Sequence, residues 1–140
     1  MMAFAMFLLV STGAFGESFS CPAKINLQTV STNPPKGWTV YAKDKAKFKT
    51  SATHASGTFH AVSPHDGNPD EILGWLIPDN DNKGESEGFW FWSISNIGNI
   101  YIGCDYFGTN VWLIKKTENN TLRACRTNVS GKGRYLLTCN

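Results

Sequence analysis

The sequence predicts a mainly β domain, an antiparallel β-sandwich or barrel-like fold held by two disulfides and carrying little helix. Three observations point there. Alternating β-branched and aromatic runs recur, separated by Gly, Pro and Asn turn residues. Four cysteines, Cys21, Cys104, Cys125 and Cys139, form an even set in a chain of 140 residues. Few stretches carry a helical period.

The elements follow in order. Met1 to Val10 is almost wholly apolar, and Ala14-Phe15-Gly16 places small residues where a signal peptidase reads, so residues 1–16 are expected to be a signal peptide cleaved before Glu17. The run is shorter than the about twenty residues a helix needs to span a bilayer. No Lys or Arg precedes it, so only the α-amino group supplies its charge. Ser18-Phe19-Ser20 before Cys21 lacks the Leu and small residues of a lipobox, so no lipid anchor is expected. Residues 17–140 are then one domain with one core.

Within it, Ala23 to Thr29 alternates as a strand. Asn33-Pro34-Pro35-Lys36-Gly37 ends that run, and Trp38 to Ala42 resumes an extended one. Gly57 to Val62 is another. Glu87 to Ile94 holds Phe89-Trp90-Phe91-Trp92, whose unbroken aromatic character predicts cover on both faces. Asn99 to Phe107 and Thr109 to Lys115 pair about Phe107-Gly108. Leu122 to Val129 and Arg134 to Cys139 form a hairpin about Ser130-Gly131-Lys132-Gly133. The total is seven or eight strands, with any helix confined to the middle.

The hairpin bears on the disulfides. Folding about Lys132 sets Cys125 opposite Cys139 across the ladder, at bonding distance, and leaves Cys21 for Cys104. The rival pairing, Cys104–Cys125 with Cys21–Cys139, stays open if no third strand separates the first two.

Charge is uneven. Lys24 to Lys49 holds six Lys against Asp44, a balance of +5. Lys43, Lys45, Lys47 and Lys49 fall at every second residue, a solvated face or guarded edge in a strand. Asp66 to Glu87 holds seven acids against Lys83, a balance of −6. Its two polar loops, bearing Asp66, Asp70 and Glu71, then Asp79 and Asp81, surround Ile72 to Ile77, and long ordered loops often carry function. Asp79-x-Asp81-x-Lys83-Gly84 has Lys at a ligand position and no closing Glu, so it is not a calcium loop. Trp75, between the acidic loops, is the candidate anchor for a protein partner, whereas Trp90, Trp92 and Trp112 are read as core.

Catalysis finds little support. The cysteines are consumed by disulfides, and His54, His60 and His65 are spaced by six and five, not as ligands on one helix face. No nucleophile elbow or phosphate loop is present. A net charge of +2 with an acidic centre disfavours nucleic acid. Neither a metal nor a cofactor is expected.

Asn99-Ile100-Tyr101-Ile102-Gly103-Cys104-Asp105-Tyr106-Phe107-Gly108-Thr109, taken with Cys21-Pro22, Pro35-Lys36-Gly37-Trp38 and Cys125, resembles a family of small exported two-disulfide proteobacterial proteins. Some of these resemble periplasmic immunity proteins of type VI secretion systems. The resemblance implies a periplasmic protein without catalytic residues that binds and occludes a peptidoglycan-targeting effector, such as one of the L,D-transpeptidase-like type. Acidic loops would suit a basic cleft and speed its capture. A second resemblance is to periplasmic lysozyme inhibitors with a Ser-Gly-x-x-Tyr loop. Here Ser130-Gly131 is followed by Lys132, Gly133 and Arg134, with Tyr135 one residue late; the alternative is an ordinary hairpin turn. A weak cell-wall hydrolase using the loop carboxylates is the third reading.

Overall fold

A computed structural model describes residues 16–42, 56–67, 69 and 74–140. Among them, ten strands form two antiparallel sheets that curl into a half-barrel around one core. The strands are β1 (Glu17–Ser20), β2 (Lys24–Asn26), β3 (Thr39–Ala42), β4 (Ser56–Asp66), β5 (Gly74–Trp75), β6 (Phe89–Ser93), β7 (Ile100–Phe107), β8 (Val111–Lys116), β9 (Ala124–Asn128) and β10 (Leu136–Cys139). The four-stranded sheet runs β1-β10-β9-β6. The six-stranded sheet runs β2-β4-β7-β8-β3, with β5 paired to β4. No helix among the described residues is long and apolar enough to cross a membrane.

Alternation selects the core. The six-stranded sheet turns Val62, Ile102, Cys104, Tyr106, Val111 and Leu113 inward. The other sheet meets them with Phe19, Leu137, Cys139, Cys125 and Trp92, all of them buried. Trp92 lies opposite Cys125, which lies opposite Cys139. The expected hairpin therefore forms, and with it the Cys125–Cys139 disulfide, Cα atoms 4.1 Å apart. Cys21–Cys104 is the other bond, tying the chain just after β1 to the middle of β7 and so joining the two sheets. The rival pairing is excluded.

The structure corrects several elements. The strand expected over Ala23 to Thr29 stops at Asn26, whose Oδ1 accepts from the amides of Gln28 and Thr29 at 3.0 and 3.3 Å. That cap starts helix α1 (Leu27–Thr32), so helix is not confined to the middle. A second short helix, α2 (Gly84–Glu87), takes the start of the run expected to be strand. It ends on Gly88 at φ +78°, and β6 begins one residue later. A Cβ on Gly84 would lie 2.0 Å from the Trp90 ring, which is why glycine stands there. Phe89, Trp90 and Phe91 are half-buried and Trp92 is buried, with the Arg126 guanidinium 3.8 Å over the Phe89 ring. The alternating lysines Lys43, Lys45, Lys47 and Lys49 lie outside the described residues.

One irregularity interrupts β4: its register against β7 shifts between Phe59 and Ala61. Phe59 faces Tyr106 in the core, whereas Ala61, Ser63 and His65 all face away from it.

Candidate functional site

The face of the six-stranded sheet turned away from the core is not an ordinary solvated surface. Cross-strand pairing orders it into three rows. The first runs Trp75, His65, Tyr101, Lys116 across β5, β4, β7 and β8. The second runs Ser63, Gly103, Ile114, Thr39, and the third Ala61, Asp105, Trp112, Tyr41, both ending on β3. Ser63, His65, Asp105 and Ile114 are buried here, so polar groups have been withdrawn from water on a face that the inter-sheet core does not need.

His65 is the centre of this face. It is 2% exposed, and its Nε2 shares a hydrogen bond of 3.2 Å with Ser63 Oγ. Its Nδ1 has no hydrogen-bond partner among the described residues. Gly103 makes the room: a Cβ there would lie 2.6 Å from His65 Nε2. Trp75 and Trp112 close over the imidazole, with centroids 5.3 and 5.2 Å away, and meet each other edge-on at 5.5 Å. Burial pulls the His65 pKa down to about 4, a fall only partly opposed by the Asp105 carboxylate. The ring is therefore neutral at neutral pH. Trp112, read from sequence as core between the sheets, instead belongs to this outer triad.

Trp75 remains 44% exposed on that backing, and Ile77, two residues on, is 73% exposed. The segment between them is pinned to both sheets. The Leu76 amide donates to Pro64 O at 3.3 Å, Trp92 Nε1 donates to Leu76 O at 2.9 Å, and the Asp79 amide donates to Phe91 O at 2.7 Å. Two apolar side chains thus stand out from a braced backbone.

The acidic residues divide. Asp66 is exposed at the end of β4, opposite Gly74, and Asp81 is exposed in the turn before α2. Asp79 is committed to the fold, its Oδ2 accepting from the Ser93 amide at 2.7 Å. Beside it Asn80 binds the Phe91 amide, Phe89 O and Glu87. Asp70 and Glu71 lie outside the described residues. Ser130 and Lys132 are exposed at the β9–β10 turn, where Gly131 takes φ +69° and Lys132–Tyr135 forms a 3-10 turn. Tyr135 folds back onto Phe59 at 4.7 Å between centroids. Phe59 and Asp66 sit toward opposite ends of β4, about 20 Å apart along an extended strand. Trp75 with Asp66 and the Ser130 turn are therefore two separate regions.

A cleft of about 440 Å³ opens beside Tyr101, toward the Lys116 end of the first row. Lys36, Thr39, Tyr41, Tyr101, Lys116 and Glu118 line it, with Ile114 among the apolar contributors. Sequence reading missed His65 as a centre and this cleft altogether, because both depend on side-chain parity across four strands. Among the described residues no group of three or more His, Cys, Asp or Glu could hold a metal ion.

Searches against protein-family models, curated proteins and solved structures find no match to this chain.

Proposed function

We propose that this protein is an exported inhibitor that binds and occludes a secreted peptidoglycan-acting enzyme in the periplasm, an immunity function of the type VI secretion kind against an L,D-transpeptidase-like effector. One observation carries the reading: Trp75 and Ile77, two residues apart, project from a backbone braced by both sheets, with exposed Asp66 and Asp81 nearby in the chain. An aromatic anchor on a preorganised support costs little ordering entropy on binding, and carboxylates at its margin favour a basic cleft. The buried disulfides suit an oxidising compartment.

The test is to co-produce the chain with a peptidoglycan-acting effector of the L,D-transpeptidase-like type, taken first from any gene found beside its own. Protection is expected only when both are sent to the periplasm. Trp75→Ala should weaken the purified complex by about 2 kcal/mol or more, with Ile77→Asp acting in the same direction. Protection from the cytoplasm, or a complex indifferent to both substitutions, would remove the reading. The Ser130–Lys132 turn is the lysozyme-inhibitor alternative's contact, and Ser130→Ala in a lysozyme turbidity assay separates the two.

A further inference from the structure

We propose that the cleft beside Tyr101 is a binding site for a short anionic saccharide, carboxylated or phosphorylated, independent of the protein-docking role given to Trp75.

The cleft lies between the β3 and β7 sides of β8. Ile114 contributes to its floor, Thr39 stands directly across the ladder on β3, and Tyr101 pairs with Lys116 on the β7 side. Its volume, about 440 Å³, falls within the range of small-ligand sites. The lining carries two kinds of recognition group. Tyr101 can offer a ring face to the C–H faces of a sugar, and its hydroxyl, with that of Thr39, can exchange hydrogen bonds with sugar hydroxyls.

The second group is charge. Lys36 and Lys116 line the cleft with a single carboxylate, Glu118, a local balance of +1 from two cations and one anion. Among the described residues neither Lys36 nor Lys116 has a carboxylate partner. Lys115, which pairs with the inward-facing Ile102, points to the other side of β8, its ammonium 5.9 Å from the Phe19 centroid. Gly37, at φ +82°, lets the turn after α1 pass close to that side chain: a Cβ at this position would lie 3.4 Å from Lys115 Nζ. The turn thereby brings Lys36 to the lining of the cleft. Cations gathered around tyrosines and hydroxyls select a ligand that is both a sugar and an anion; a neutral sugar leaves the ammonium groups unused, and an apolar ligand leaves the hydroxyls unpaired.

The experiment is a titration of the oxidised, isotopically labelled protein with digalacturonate, trehalose phosphate and neutral trehalose, followed by amide shifts. An anionic sugar is expected to move Thr39, Tyr101 and Lys116 saturably, with affinity falling as salt rises. Lys36→Glu with Lys116→Glu should weaken it about tenfold or more. Both positions are exposed, and an unchanged melting temperature serves as the folding control. Response to digalacturonate alone identifies a carboxylate ligand, and response to trehalose phosphate alone a phosphate. Equal binding of neutral trehalose, charge-reversed variants that bind as before, or no saturable shift at these amides with either anion would each overturn the proposal.

Discussion

At the scale of single residues, His65 shows how a fold can hold a titratable group for its shape. The ring fills the space over Gly103 and supports Trp75, and it does so as the neutral imidazole. Its folded pKa of about 4 lies below the 6.5 of the free side chain, so protons bind the unfolded chain more readily. The stability this confers is fully present above pH 6.5 and is lost as pH falls through the interval down to about 4. By linkage the loss at pH 5 relative to pH 8 is about 2 kcal/mol. Denaturant unfolding at the two pH values measures it, and His65→Asn should flatten this part of the profile even though it lowers stability overall. Tyr106, whose hydroxyl is buried without a hydrogen-bond partner among the described residues, is shifted the other way, its pKa raised by burial. It stays protonated across any pH at which the protein is folded, so it adds nothing to that profile.

At the scale of elements, the stretch from Leu76 to Asn80, part of a polar run read from sequence as a functional loop, is committed to bracing the fold. Asp79 and Asp81 look equivalent in sequence, two residues apart in one polar run. Only Asp79 finds a strand amide to bind. Asp79→Ala should therefore destabilise by about 1–2 kcal/mol, as expected for a lost charge-assisted hydrogen bond, whereas Asp81→Ala should stay within about 0.5 kcal/mol. Thermal melts of the two variants decide this, and among the described carboxylates of the sequence-predicted set a partner-binding role then rests on Asp81 and Asp66. The strands themselves were largely legible, since period-two runs and turn residues are local signals. The hairpin register, and through it Cys125–Cys139, followed from the turn at Lys132. Helix α1 was not legible because Asn26 acts through a cap, which alternation does not report. Strand β5 is two residues long and exists only through its partner. Trp112 was misplaced because a tryptophan between buried neighbours reads as core whichever face it takes.

At the scale of the whole molecule, the two disulfides have different jobs. Cys125–Cys139 closes a sequence separation of 14 within one sheet, while Cys21–Cys104 closes 83 and crosses between sheets. Chain-entropy reasoning assigns about 3 kcal/mol to the first and about 4.5 kcal/mol to the second. Replacing both cysteines of each pair with serine should thus cost more for Cys21 and Cys104, and calorimetry of the two double variants checks the order. The longer bond also reaches Cys104, in the strand whose other face holds Gly103 and Asp105, so its loss should disturb the aromatic face as well as the core. Intrinsic fluorescence of Trp75 and Trp112 is the added readout.

The register shift in β4 ties these scales together, because it works like a frameshift in a strand that is otherwise read two residues at a time. Before it, odd-numbered Gly57 and Phe59 point inward; after it, even-numbered Val62 and Pro64 do. Were strict alternation to continue from Phe59 with no shift, the inward set would become Ala61, Ser63 and His65, and the core would receive a serine and an imidazole in place of Val62 and Pro64. Deleting His60, the solvent-exposed residue at the shift, keeps Phe59 opposite Tyr106 and Ala61 opposite Asp105, so a cooperative unfolding transition should survive, and His60→Ala should be nearly neutral. The shift thus accommodates His60 without exchanging the strand's packed side chains for those of its polar, aromatic outer face.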